Sequence, residues 1–250
     1  GIAVGDRVMG VGAGGWAEYA VSDYRRTLPV PDHMDFIQGG TISSAFLTMH
    51  DAIVTNGEFK SGQSILIQGG STGVGIMGMQ FGKHLGASLV IGTSTNAERR
   101  GRLTEFGADL ALDSSDPGWV DQVLEATDGK GVDLIIDQIS GYAANQNMAA
   151  TKVHGRIINV GRLGGEVAEF DFNMHAERRL TYIGTTGRTR SLEEHAEVFR
   201  RARADLWDAL DAGKFKMPID STFDISEASA ALERSAANRH FGRIMLTINA

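Results

Sequence analysis

The sequence contains no cysteine. That rules out a disulfide framework, a thiolate zinc site and a cysteine nucleophile. It also fits a reducing compartment, so a cytoplasmic protein is expected. No apolar stretch reaches the length of a membrane span. Basic residues are in the minority, 24 against 31 acidic for a net charge of −7, and no basic stripe breaks that balance. Neither nucleic acid nor a membrane is therefore an expected partner. The seven histidines form no close pair at a metal-ligand spacing, so no metal site is expected. Internal repeats and low-complexity linkers are absent as well.

What is present is an ordinary globular composition, 42% apolar and 22% charged over 250 residues, enough for one or two domains and a large core. The 32 glycines suit a fold with many tight turns between strands and helices. The most informative of them lie in Ser64–Gly75. There Ile65-Leu66-Ile67 breaks at Gly69-Gly70 and resumes at Gly73-Val74-Gly75 as an apolar pattern at helical spacing. The spacing predicts a strand, a glycine turn and a helix. The first turn of such a helix offers unpaired N–H groups and the positive dipole end to a phosphate, so Ser71, Thr72, Gly73, Val74 and Gly75 are candidate phosphate contacts. Gly70, Gly73 and Gly75 are spaced G-x-x-G-x-G rather than G-x-G-x-x-G. A plain structural turn accounts for that spacing equally well.

The next strand carries the deciding residues. The carboxylate that grips a ribose 2′-hydroxyl lies roughly 20 residues beyond the glycines in dinucleotide sites. Here the strand Ser88–Gly92 runs into Thr93-Ser94-Thr95-Asn96, and no carboxylate appears before Glu98, which Arg99 and Arg100 follow. Hydroxyls with a guanidinium suit a 2′-phosphate, which an acid would repel. The expected cofactor is therefore NADP(H), with Ser94 and Arg99 as its contacts, Arg99 being nearer the strand end than Arg100. The other reading of both arginines is the solvated face of the next helix.

Further strands are expected at Leu110–Leu112, Gly131–Asp137, Gly155–Gly161 and Leu180–Gly184, with helices over 97–106, from Asp116-Pro117 and over about 141–151. This alternation predicts an α/β fold with a doubly wound parallel sheet, its ligand crevice at the carboxyl ends of the strands. Residues 1–45 read as β-rich, including Asp6–Gly10 and Trp16–Val21. The C-terminal part reads as a long amphipathic helix over about 192–211, a short strand near Phe223, a helix over about 226–236 and a last strand, Arg243–Ile248.

Several dispersed motifs, in order, resemble the medium-chain dehydrogenase/reductases and among them the zinc-independent quinone oxidoreductase (zeta-crystallin-like) branch. They are Gly5-Asp6-Arg7-Val8-Met9-Gly10, Gly14-Gly15-Trp16-Ala17-Glu18-Tyr19-Ala20, the Gly69–Gly75 loop, Gly131–Asp137, Gly155–Gly161 and Asn238–Ile244. Only Met9–Ala13 separate the first two motifs, where zinc-dependent relatives usually carry a cysteine-rich lobe. The resemblance implies a Rossmann domain over 46–187 that binds NADPH. It also implies a partial GroES-like catalytic domain, β-rich, from 1–45 and 188–250. Family members carry several dozen residues before the Gly-Asp-Arg-Val motif, so a fragment is expected rather than a chain that has lost half of its substrate domain.

The same resemblance implies cofactor contacts at Thr48 near the nicotinamide, at Asp113 near the adenine and at Gly161, Arg162 and Leu163 beside the nicotinamide ribose. Thr185 and Thr186 would lie along the carboxamide, with Asn238 a C-terminal contact. Each has a plain packing alternative; for Thr48 it is a helix-interior hydroxyl bonded to its own backbone. The implied reaction is hydride transfer to a quinone or an α,β-unsaturated carbonyl, in which the protein positions the nicotinamide and excludes water. A quinone needs no strong general acid, and no catalytic residue is assigned. Tyr142 and Tyr182 could supply a proton, though packed aromatics with a hydroxyl at the rim describe them as well. A homodimer is implied too. Two alternatives stay open: an enoyl-thioester reductase module, and an NADPH-binding protein with a structural or regulatory role.

Overall fold

The computed structural model describes residues 2–12 and 14–248. The chain forms two compact units, Gly1–Thr48 with Gly187–Ala250, and Met49–Thr186. The first opens with β1 (Val8–Gly10) and β2 (Thr27–Pro29), an antiparallel pair that sets Met9 opposite Leu28. Helix α1 (Phe36–Met49) follows, and the division between units falls after Thr48 in its last turn. The front of the chain is thus less β-rich than its sequence suggests. Trp16–Val21 forms no strand, and Trp16, Tyr19 and Val21 are 61%, 89% and 95% exposed. Without a face to bury these side chains, nothing offsets the entropy of ordering the segment.

The second unit begins with a π-helical stretch, His50–Asn56. It continues through β3 (Ser64–Gln68), α2 (Gly73–His84), β4 (Leu89–Thr93), α3 (Ala97–Gly101) and β5 (Leu110–Leu112). Next come α4 (Trp119–Glu125), β6 (Val132–Asp137), α5 (Ala144–Ala150), β7 (Thr151–Asn159), α6 (Phe172–Arg178) and β8 (Thr181–Gly184). The strands form one parallel sheet in the order β5-β4-β3-β6-β7-β8. The chain starts at its middle, winds out to β5, returns to β6 and winds out again, so the order reverses between β3 and β6. Such a switch point leaves a crevice at the strands' carboxyl ends.

Both faces of this sheet are covered, which explains the unbroken apolar runs of its strands. Leu66, Ile91, Ile135 and Ile157 pack on one face with Trp119 and Val123 of α4 and Met148 and Ala150 of α5. Ile65, Ile67 and Val90, on the alternate positions, are also fully buried and lie against α2. Three local expectations shift. The helix over 97–106 is α3 followed by a 3-10 turn, Leu103–Phe106. Asp116-Pro117 precedes α4 instead of opening it, with an Asp116 carboxylate oxygen accepting the Gly118 amide at 2.8 Å. Strand β7 starts at Thr151, because the register slips between Val132 and Leu134 and a bulge containing His154 (φ 64°) lets four more residues join.

The first unit resumes with α7 (Leu192–Asp211), entered through a capping box between Ser191 and Glu194. Phe199, Ala202, Leu206 and Leu210 are its buried face. Then come β9 (Ile219–Asp224), α8 (Ala228–Ala236) and β10 (Arg243–Thr247), the two strands pairing in parallel.

Candidate dinucleotide site

The sheet register aligns Gln68 with Asp137, Asp137 with Asn159 and Asn159 with Gly184, so four strands end at one edge with polar residues on three of them. The glycine loop leaves β3 at this edge. A Cβ on Gly75 would run into the Gly69 carbonyl oxygen and lie 2.8 Å from the Gly70 Cα. Only glycine lets α2 pack so closely on the strand it follows.

Side chains from the two neighbouring strands clamp the loop. From β4, the Thr93 hydroxyl accepts the Gly69 amide at 3.0 Å and donates to Gln68 Oε1 at 2.7 Å, while the Thr93 carbonyl accepts the Gly70 amide at 2.8 Å. Gln68 Nε2 goes on to Asn147 Oδ1 at 2.8 Å. From the β6 side, Gln138 Nε2 donates to the carbonyls of Gln68 and Gly69 at 3.2 and 3.3 Å. Its Oε1 accepts the Thr72 hydroxyl at 2.7 Å. Gln68 and Thr93 are completely buried and Gln138 nearly so, conditions in which each satisfied partner is expensive to remove.

Thr72 is the N-cap of α2, its hydroxyl accepting the Gly75 amide at 2.9 Å. Gly75 is therefore needed for packing, and its amide is already used within the protein. The first-turn amides of Gly73 and Val74 have no carbonyl one turn back to bond, and they face the helix's positive end. Ser71 Oγ lies 3.0 Å from Ser94 Oγ, so the loop meets the end of β4 as expected. The guanidinium that the structure brings to Ser94 is that of Arg100, whose Nη1 donates to the Ser94 carbonyl at 3.0 Å and to Asp113 Oδ2 at 2.9 Å. Arg99 uses its backbone amide on the α3 cap, Asn96 Oδ1, at 2.9 Å.

Asp137 is fully buried at the end of β6, and its Oδ1 accepts the amides of Ile139 and Ser140 at 2.8 Å each. Burial pushes this carboxyl above its usual range in spite of those bonds. Ser140 sits at φ 55°, ψ −147°, a region costly for any residue with a Cβ. Its hydroxyl donates to the Gly161 carbonyl at 2.7 Å, which also accepts from Asn159 Nδ2 at 3.2 Å. A Cβ on Gly161 would lie 2.6 Å from the Gln138 carbonyl oxygen, so the loops after β6 and β7 are in backbone contact. The Tyr182 hydroxyl is pushed up to about 12, first by burial and then by the negative charge of Asp137.

The remaining sequence candidates are more scattered. Arg162 folds back on the Val160 carbonyl at 3.4 Å, and the Leu163 side chain is 70% exposed. Thr185 is tied to the Asn159 carbonyl through its amide at 2.9 Å and its hydroxyl at 3.1 Å, and Thr186 is the last residue of this unit. Thr48, half-buried in α1, and Asn238, exposed with φ 49° after α8, belong to the other unit. Gln68, Thr93, Gln138 and Asn159 are not singled out from the sequence, and Arg100 is placed behind Arg99. The signal available was a polar residue closing an otherwise apolar strand.

Comparison with known proteins now bears on this arrangement. The family model described as zinc-binding dehydrogenase matches residues 73–203. The chain belongs to this family, within the medium-chain dehydrogenase/reductases. Its relatives place it in their quinone oxidoreductase-like branch. A quinone oxidoreductase of Pongo abelii is 27% identical over 231 residues, 92% of this chain and 68% of that protein. A phenolphthiocerol/phthiocerol polyketide synthase of Mycobacterium tuberculosis is 24% identical over 248 residues, 99% of this chain and 11% of that protein. The chain thus spans about a tenth of that synthase's length. A mycobacterial protein solved in complex with NADPH superimposes with a TM-score of 0.87 at 25% identity, over 98% of this chain and 75% of that one.

The family's name implies zinc. Among the described residues no group of three or more His, Asp or Glu side chains could hold a metal ion, and the sequence offers no cysteine, so zinc finds no donor set there. No helix among these residues is long and apolar enough to cross a membrane.

Proposed function

We propose that this dehydrogenase-family chain is a zinc-independent oxidoreductase that uses NADPH to reduce a quinone or an α,β-unsaturated carbonyl. In this reading Met49–Thr186 is the nucleotide-binding domain and the flanking unit is part of the catalytic domain. The observation that carries it is the loop Gly69–Gly75, clamped from β4 and β6 with the Gly73 and Val74 amides left open to a diphosphate. Ser71 and Ser94 extend that edge toward a 2′-phosphorylated ribose, with Arg99 and Arg100 on the following turn. The loops after β6 and β7, with Gly161, Arg162 and Leu163, and Thr185-Thr186 after β8, would flank the nicotinamide half. Thr48 and Asn238 stay candidate contacts on the family resemblance, and Asp113 is placed at the adenosine end.

NADPH, when bound, would supply a hydride to the acceptor, whose reduced anion would take its proton from solvent once the site opens. The chain's own residues bind, orient and exclude water. No residue is assigned as a strong acid in this reading, which a quinone does not require. The NADPH complex of the mycobacterial relative supports the coenzyme, and the quinone oxidoreductases support the acceptor class. A cytoplasmic homodimer is part of the same proposal.

The alignment of nearly the whole chain with polyketide synthases favours a second reading, reduction of an enoyl thioester. NADPH oxidation measured with 1,4-benzoquinone, 9,10-phenanthrenequinone and crotonyl-CoA separates the two. Turnover with the quinones is expected. Turnover with crotonyl-CoA alone would favour the thioester reading. Tight NADPH binding with no turnover at all would point to a non-catalytic role.

A further inference from the structure

The end of β4 lacks a carboxylate in sequence, and the tertiary structure supplies one from the neighbouring strand. Asp113, directly after β5, holds the Arg100 guanidinium, and the same Nη1 bonds the carbonyl of Ser94, the residue that follows β4. We propose that the Arg100–Asp113 pair sets the coenzyme preference of this site, with Arg100 attracting the 2′-phosphate and Asp113 opposing it. This rests on the dinucleotide reading above and deepens it.

Three observations carry the inference. First, Arg100 is placed by two partners at the position that discriminates 2′-hydroxyl from 2′-phosphate in dinucleotide sites. Second, it spends only Nη1 on them, so among the described residues Nε and Nη2 keep their protons for an anion; a guanidinium can take a phosphate through two such donors at once. Third, the pair is reachable, with side chains 25% and 29% exposed for Arg100 and Asp113. Asp113 is firmly ionised, since Ser115 donates to its Oδ1 through its amide at 2.9 Å and its hydroxyl at 2.5 Å, and Arg100 sits on the other oxygen. A fixed carboxylate beside the guanidinium repels an incoming phosphate dianion and can accept a ribose hydroxyl instead. The site therefore carries both determinants at once, and its preference for NADPH is weaker than the arginines alone would give.

The test is a titration of the full chain with 2′,5′-ADP and with 5′-AMP, which share the adenosine and differ at the 2′-phosphate. Binding is read by calorimetry, and a melting curve is taken for each variant. Arg100→Ala should weaken 2′,5′-ADP about tenfold and leave 5′-AMP within about twofold, and Arg100→Lys should fall between. Asp113→Asn should strengthen 2′,5′-ADP about threefold or more and weaken 5′-AMP, whose 2′-hydroxyl loses the carboxylate that accepts it. Equal losses of both ligands in Arg100→Ala would overturn the inference, as would no gain in Asp113→Asn. So would loss of the whole 2′-phosphate preference in Arg99→Ala with none in Arg100→Ala. In those cases a wild-type preference for 2′,5′-ADP keeps the NADPH reading standing. A wild-type chain that binds neither ligand overturns both.

Discussion

Replacing Thr93 by valine tests whether the glycine loop is held by the hydroxyl on β4. Valine keeps the shape of threonine and removes one oxygen, which in this protein makes two buried bonds, from the Gly69 amide at 3.0 Å and to Gln68 Oε1 at 2.7 Å. Thr93 and Gln68 are completely buried, so water cannot replace what is lost. An unsatisfied buried group costs about 1–3 kcal/mol, and the two orphaned here were partners of one oxygen and are coupled, which gives a combined loss of about 2–4 kcal/mol. At about 2–4 °C per kcal/mol for a domain of this size, the melting temperature should fall by roughly 5–15 °C. Thr93→Ser is the control, because it keeps the hydroxyl and gives up one methyl worth about 1 kcal/mol. Scanning calorimetry of the three proteins, with NADPH fluorescence titrations alongside, decides the matter. The valine variant should also bind NADPH about tenfold more weakly, its loop being loosened. If it melts within about 2 °C of the parent, or the serine variant is equally damaged, the hydroxyl does not hold the loop.

Two other perturbations follow from the same structure. Gly75→Ala drives a methyl into the Gly69 carbonyl and the Gly70 Cα, so it should abolish measurable NADPH binding and cost about 1–3 kcal/mol; binding within about twofold of the parent would show the approach is not needed. In the flanking unit, Asp220 accepts from Arg234, Ser221 and the Phe241 amide, and Arg234 chiefly holds its carboxyl down at about 2. A depressed carboxyl stabilises the fold above its unfolded value and loses that contribution as pH falls from about 4 to 2. Asp220→Asn should therefore cost about 1 kcal/mol at pH 7, and urea titrations at several pH values should find the difference vanishing near pH 2. A difference independent of pH would mean the charge is not what matters.

Elements built from local rules are legible in the amino-acid sequence alone. Apolar runs of strand length, glycine turns and helical spacing locate β3, α2, β4, β6 and α7 to within a few residues, because period and turn chemistry depend on neighbours in the chain. Trp16–Val21 shows where that logic stops: its alternation is real, but a strand also needs a partner and a face to bury. The bulge after Thr151 is another such case, because where β7 leaves register is seen only in its pairing with β6.

The sequence by itself determined that this is an α/β chain with a glycine loop opening α2, no cysteine chemistry, and hydroxyls instead of an acid at the end of the second strand of its sheet, with Arg99 and Arg100 shortly after. The tertiary structure alone decided which groups meet there. Thr93 and Gln138 close on Gly69 from 24 and 69 residues away, and Arg100 reaches Ser94 with Asp113 beside it. Gln138 reaches the loop because the sheet reverses its order at β3 and sets β6 beside it, while Thr93 and Asp113 come from β4 and β5 on the other side. Hydrogen bonds and ion pairs act over a few ångströms, and the order of the strands fixes which residues lie that close.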